Sequence, residues 1–283
     1  MKKNICLFLF AIGLCACAGN ARSTTTPSPV SGIQPTRPVP FKEIPPTMTM
    51  AFAPTCAEKG TIGNDHVPNP TQGFSIHFDY YLPPCYADLP QISYPVLYLM
   101  TLSSETSLSE TDNTPMSLTE RLIHSGKMLP VIIIVPGQLI GYGSDAALTK
   151  DLVPYVDGKF RTIPDRQHRG TGGISNGAAI AVRMAFQFPE TFGSVGLLSG
   201  GLADGEGDRF EGWLLRTPPE LWPRVRIDVG DQDAIMRLTQ NLLTLLDKHK
   251  VPYTLNIGHG GHTWAFWSSQ MESYLLWLSK EWQ

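Results

Sequence analysis

Gly173-Ile174-Ser175-Asn176-Gly177 is a G-x-S-x-G pentapeptide, and an apolar run of helical period follows it directly. A serine held on a sharp turn between a strand and a helix projects its hydroxyl into a cleft, and glycines on either side remove Cβ atoms that would clash there. Such a serine becomes a nucleophile only with a neutral imidazole to take its proton and an acid to fix the ring tautomer. Both residue types follow in that order. Gly230-Asp231-Gln232-Asp233 offers two acids, and Gly258-His259-Gly260-Gly261-His262 offers two histidines. Asp231 competes with Asp233 as a simple turn-former at a strand end. His259 competes with His262, which lies in a glycine-rich loop able to lower it onto Ser175. A surface glycine loop is the bland alternative for the pentapeptide itself.

These residues need strands and helices to carry them. Ala178 to Phe188 places Ile180, Met184 and Phe188 on one helical face, and Pro189 ends the run. Strand-like segments are expected at Phe74 to Leu82, Pro95 to Met100, Val131 to Val135, Val195 to Leu198, Val225 to Val229 and Tyr253 to Ile257. Helices are expected at Leu118 to Ser125, Leu148 to Phe160, Ala234 to His249 and Trp267 to Trp282. The strand that must deliver Ser175, Gly170-Thr171-Gly172-Gly173, is poor in the β-branched residues such a strand usually carries. Repeated β-α units predict an α/β fold, a mostly parallel sheet with helices on both faces, in a single catalytic domain. Ligands then collect at the carboxyl ends of the strands. An oxyanion hole is expected from the backbone N–H of Asn176 and a second N–H at Leu102 or Ser103, after the Val96 to Met100 strand. Loops at Gly137 to Asp145 and Ser199 to Gly212 are expected to line the cleft, with Tyr142 and Trp264 as candidates for stacking on substrate.

The 283 residues carry 22 basic and 25 acidic side chains, a formal net charge of -3. That balance argues against a nucleic-acid partner, which would call for a basic stripe. With 42% hydrophobic and 17% charged residues, there is material for one sizeable core. No metal is expected, because the remaining histidines lack ligand spacing. No nucleotide cofactor is expected either, since neither a phosphate-binding P-loop nor a G-x-G-x-x-G fingerprint occurs. Residues 1–18 combine a basic start with a short apolar run and read as an export signal. Leu14-Cys15-Ala16-Cys17 is similar to a bacterial lipobox, which would lipidate Cys17 and tether the protein to a membrane; ordinary cleavage after Ala16-Cys17-Ala18 is the alternative. Residues 19–50, rich in Ser, Thr and Pro, form a tether, and residues 51–283 the catalytic domain. Cys56 and Cys85 are the cysteines beyond the leader, free to form a disulfide outside the cytoplasm or to stay as buried thiols.

From about Phe74 to Trp282 the chain resembles the esterase D and feruloyl-esterase branch of the α/β-hydrolases, a group that includes enterochelin esterases and mycolyltransferases. The likeness rests on Tyr81-Leu82-Pro83-Pro84-Cys85-Tyr86, Tyr94-Pro95-Val96-Leu97-Tyr98-Leu99, Asp151-Leu152-Val153-Pro154-Tyr155-Val156-Asp157, the Ser175 pentapeptide, Phe188-Pro189-Glu190-Thr191-Phe192, Gly230-Asp231-Gln232-Asp233 and Gly260-Gly261-His262-Thr263-Trp264. The resemblance implies Ser175 as nucleophile, Asp233 as acid and His262 as base, acting on a small-molecule or carbohydrate ester. One departure stands out: the family usually has His-Gly after the Leu-Tyr-Leu-Leu strand, and this chain has Thr101-Leu102. Acyl transfer to an alcohol would use the same residues, and a binding protein that kept the fold with a weakened oxyanion hole is the reading from another class.

Overall fold

The computed structural model describes residues 56, 58–68, 70–71, 75–101, 114–137 and 144–282. The leader, the tether, Cys17, Leu102, Ser103 and Tyr142 lie outside the described residues. Among the described residues eight strands form one sheet: β1 Thr61–Val67, β2 Ile76–Leu82, β3 Val96–Met100, β4 Ile132–Pro136, β5 Arg169–Ile174, β6 Ser194–Leu198, β7 Arg224–Gly230 and β8 Tyr253–Gly258. Their spatial order is β1-β2-β4-β3-β5-β6-β7-β8. β1 and β2 pair antiparallel, as do β2 and β4, and every other neighbouring pair is parallel. The central strands β3 and β4 are buried at every position, as strands covered on both faces must be.

The helices are α1 Pro115–His124, α2, α3 Asn176–Gln187, α4 Gly207–Arg216, α5 Met236–His249 and α6 Trp264–Ser279; α2 runs from Ser144–Ala147 through a π turn at Leu148–Leu152 to Val153–Lys159. Successive side chains of a strand point to opposite faces. Val96, Tyr98 and Met100 accordingly join a core with residues of α2, α3, α4 and α5, while Leu97 and Leu99 join the core formed with α1 and α6. The chain is therefore an α/β fold, a mostly parallel sheet with helices on both faces.

The glycine-rich β5 has a packing reason. Buried Tyr274 of α6 lies across it: the hydroxyl accepts from the Gly173 N–H at 3.1 Å and donates to the Gly196 carbonyl at 2.8 Å. A Cβ on Gly196 would lie 2.5 Å from the Tyr274 ring, and one on Gly172 would overlap its hydroxyl. Burial pushes the Tyr274 hydroxyl well above the ordinary tyrosine range, so it remains a donor at any physiological pH.

Several expectations are corrected. Residues 207–212, expected in a loop, begin α4, whose Phe210 packs on Phe186 of α3 with ring centroids 4.8 Å apart. Phe186, not Phe188, completes the buried face of α3; Phe188 caps the helix end, half-buried. The C-terminal helix starts at Trp264, three residues earlier than expected, because Thr263 caps it by accepting from the Phe266 N–H at 3.4 Å. β1 has no counterpart among the expected strands: its sequence TIGNDHV lacks an apolar alternation, and it is exposed along most of its length as an edge strand. Cys56 and Cys85 are joined as a disulfide, with Cα atoms 6.0 Å apart, which ties the chain before β1 to the turn after β2. Among the described residues no helix is long and apolar enough to cross a membrane.

Candidate active site

Ser175 sits at the junction of β5 and α3 with φ 57° and ψ -120°, a backbone conformation rare for a residue with a side chain. Its N–H donates to the Leu198 carbonyl at 2.9 Å, which fixes the turn to the end of β6. The two flanking glycines are required by space. A Cβ on Gly173 would come within 2.6 Å of the Met100 carbonyl oxygen, and one on Gly177 would run into the same atom. Strain of this kind, held by the surroundings, is typical of functional turns.

The acid and histidine loops are brought together by an extension of the sheet. The parallel β7–β8 pairing ends at Gly230 opposite Gly258. Beyond it the Asp231 N–H donates to the Gly258 carbonyl at 2.8 Å, and the Gln232 N–H donates to the Gly260 carbonyl at 2.9 Å. Two Asp–His pairs result. In the outer one, Asp231 accepts from the Gly260 N–H at 3.0 Å and lies 3.1 Å from His259 Nδ1. The Gly260 N–H and then the His259 ring hold the Asp231 carboxyl below the usual carboxylate range. Both side chains are exposed, His259 at 82%.

The inner pair is different. Asp233 has a fully buried side chain, and its Oδ1 accepts from the Ile235 N–H at 2.9 Å. His262 Nδ1 lies 3.0 Å from Asp233 Oδ1 and 3.3 Å from Oδ2. His262 Nε2 lies 2.8 Å from Ser175 Oγ. An unbroken hydrogen-bond chain thus runs from a buried carboxylate through an imidazole to a hydroxyl on a strained turn. Asp231 and His259 take no part in it.

The N–H of Asn176 is the first of α3, one of the helix-terminal donors that have no intrahelical acceptor. Trp264, proposed from sequence to stack on substrate, is half-buried against the core formed with α1 and α6. Two more residues adjoin the site: Ser199, the first residue of a loop expected to line the cleft, and Trp267, expected only as the start of a helix. The Trp267 indole meets the His262 ring edge-on at 4.9 Å, and its Nε1 donates to Ser199 Oγ at 2.8 Å. Their signal is slight: a tryptophan five positions after the histidine, and a serine at the end of an apolar strand.

Residues 142–278 match a family model described as "Putative esterase". An endo-1,4-beta-xylanase/feruloyl esterase of Xylanibacter ruminicola is 32% identical over 124 residues, 39% of this chain and 17% of that protein. An uncharacterised protein of Corynebacterium glutamicum is 26% identical over 189 residues, 54% of this chain and 43% of its own length. The chain thus spans less than half the length of either relative. Among solved structures, the feruloyl esterase module from Clostridium thermocellum, complexed with sinapinate, superposes with a TM-score of 0.67 at 18% identity, covering 80% of this chain and 90% of the module. An S-formylglutathione hydrolase from Staphylococcus aureus gives 0.60 at 16% identity, covering 78% and 98%. At these identities the structural likeness carries the fold.

Proposed function

We propose that this chain is an exported serine esterase of the α/β-hydrolase type that cleaves a carboxylic ester through an acyl-enzyme. The observation that carries the reading is the 2.8 Å contact of His262 Nε2 with Ser175 Oγ, backed by Asp233 on Nδ1. In the neutral imidazole Nδ1–H donates to Asp233 and Nε2 accepts the Ser175 proton. Ser175 Oγ attacks the ester carbonyl, and the carbonyl π electrons move to oxygen as His262 becomes an imidazolium beside the Asp233 carboxylate. The Asn176 N–H is proposed to receive the oxyanion together with a second backbone N–H at Leu102 or Ser103. Collapse of the tetrahedral intermediate breaks the bond to the alcohol oxygen, which takes the proton from His262. Water, deprotonated by the same imidazole, then attacks the acyl-serine carbonyl; collapse of this second intermediate breaks the bond to Ser175 Oγ, which regains its proton from His262 as the acid leaves.

For the acyl group we favour an aromatic or short acid on a carbohydrate alcohol. Support comes from the feruloyl esterase names among the relatives and from the sinapinate held by one structural neighbour. Export, and a lipid anchor on Cys17, rest on the leader sequence. The test is treatment of the protein with a fluorophosphonate, followed by peptide mass spectrometry and turnover of short-chain nitrophenyl and feruloyl esters. A single adduct on Ser175, with hydrolysis lost in Ser175→Ala while the thermal midpoint holds, is expected. A folded protein with neither adduct nor turnover would overturn the esterase reading in favour of a binding protein whose Thr101-Leu102 segment replaces the usual His-Gly.

A further inference from the structure

The contacts around His262 point to a second constraint on the imidazole besides Asp233: we propose that Trp267, tied to Ser199, is the positioning residue that sets the plane of the ring. This rests on the serine-esterase reading above. Trp267, in the first turn of α6, is 5% exposed, and its ring stands at 89° to the His262 ring with centroids 4.9 Å apart. A perpendicular contact of this kind is a preferred arrangement for aromatic rings. The indole cannot swing away, because Nε1–H donates to Ser199 Oγ at 2.8 Å.

Ser199 is itself held. It is fully buried, its N–H donates to the Asp228 carbonyl at 2.8 Å, and its φ is 51°. Glycine occupies such a conformation without steric cost. Serine there supplies the one thing glycine lacks, a hydroxyl that accepts the indole N–H. The contacts close a circuit. Ser175 N–H bonds to Leu198, the next residue Ser199 bonds to Trp267, Trp267 packs on His262, and His262 returns to Ser175 Oγ. Nucleophile and base are therefore referenced to the same strand end.

The need for this strut is greatest after acylation. Once Ser175 Oγ is esterified it has no proton to donate, and the Nε2 hydrogen bond that located the ring is lost. Asp233 then holds one edge alone, while the side chain of His262 is 26% exposed and open to solvent on the remaining side. Trp267 keeps Nε2 aimed at the incoming water. Misplacement of a catalytic group by about 1 Å can lower a rate by about 100-fold.

The experiment compares wild type with Trp267→Leu, Trp267→Phe, Ser199→Gly and the Ser199→Gly/Trp267→Phe double variant. Ser199→Gly suits the backbone conformation and removes only the acceptor, so folding is preserved if Trp267→Leu fails to fold. Expected is a fall in kcat of about 10- to 100-fold for Trp267→Leu with KM little changed. Smaller falls are expected for Trp267→Phe and Ser199→Gly. The double variant should be no worse than the more impaired single one, because each change breaks the same hydrogen bond. The acid limb of the kcat/KM profile against pH should also move in Trp267→Leu, which a merely structural residue would not cause. Wild-type kcat and an unmoved acid limb in folded Ser199→Gly and Trp267→Phe would overturn the positioning role alone. Wild-type protein that takes no fluorophosphonate on Ser175 would instead remove the esterase reading, and this proposal with it.

Discussion

Replacing Tyr274 with Phe tests the account of why β5 is built from glycine. The substitution keeps the ring and deletes one oxygen, which accepts from the Gly173 N–H at 3.1 Å and donates to the Gly196 carbonyl at 2.8 Å. A buried polar group that loses its partner costs about 1–3 kcal/mol, and the N–H, with a single proton to give, suffers more than a carbonyl with two lone pairs. A total of roughly 2–3 kcal/mol is expected, with no cavity term beyond one oxygen atom. For a domain of this size each kcal/mol moves the thermal midpoint by about 2–4 °C, so Tyr274→Phe should melt roughly 4–12 °C lower. Urea unfolding should show a lower midpoint with an unchanged slope. A second substitution sharpens the test. Gly172→Ala places a methyl into the Tyr274 hydroxyl, whereas with Phe at 274 the nearest remaining atoms are the Gly196 carbonyl oxygen and the ring Cζ, each 3.1 Å from that methyl. Gly172→Ala should therefore cost less in the Tyr274→Phe background than in wild type, with a coupling of about 1 kcal/mol or more. A Tyr274→Phe change below about 0.5 kcal/mol, or strict additivity of the pair, would refute the reasoning.

Two further predictions address the site and the sheet edge. Asp233→Asn should leave the fold intact and lower kcat by about 1000- to 10,000-fold by favouring the wrong His262 tautomer, whereas Asp231→Asn, at an exposed pair, should change it by about 2-fold or less; ester turnover of both variants checks this, and the reverse order would move the acid to Asp231. Asp65 of β1 accepts from Tyr155 Oη at 2.7 Å and pairs with Lys159, both on α2. Burial opposes ionisation of Asp65, but the hydrogen bonds from Lys159 and Tyr155 outweigh it and hold the pKa at about 2. With the folded pKa below an unfolded value of about 3.9, this carboxylate stabilises the protein above that pH and the contribution is lost as pH falls toward about 2. Urea midpoints should therefore fall less steeply from pH 5 to pH 2 in Asp65→Asn than in wild type, and parallel curves would remove Asp65 from the acid response.

The parts that could be read in advance are those where one-dimensional pattern and three-dimensional demand coincide. β3 and β4 are apolar at every position because helices cover both faces, and an unbroken apolar run says as much. The glycines around Ser175 are legible because their space is taken by the Met100 carbonyl in the neighbouring strand, a constraint of the turn itself. β5 looked too poor in branched residues to be a central strand, and the reason lies about 100 residues away in a tyrosine that crosses it. No local window contains that partner. β1 failed for the opposite reason: as an edge strand it buries little, so its sequence keeps no alternation to detect.

The acid and base show where pattern stops and backbone geometry decides. Two aspartates two residues apart face two histidines three residues apart, and both pairings form, Asp231 with His259 and Asp233 with His262. The partners are 28 positions apart in the outer pair and 29 in the inner one. The histidine loop must therefore absorb one more residue than the acid loop between the two pairs. It does so at Gly260, whose φ of 151° any residue with a side chain would resist, and where a Cβ would lie 3.0 Å from the Phe266 ring. That extra residue lets His262 leave the ladder and turn back to Ser175, while His259, one step before it, stays in register and faces solvent. A chemical inventory of the loop counts two equivalent dyads; the conformation of one glycine makes them unequal.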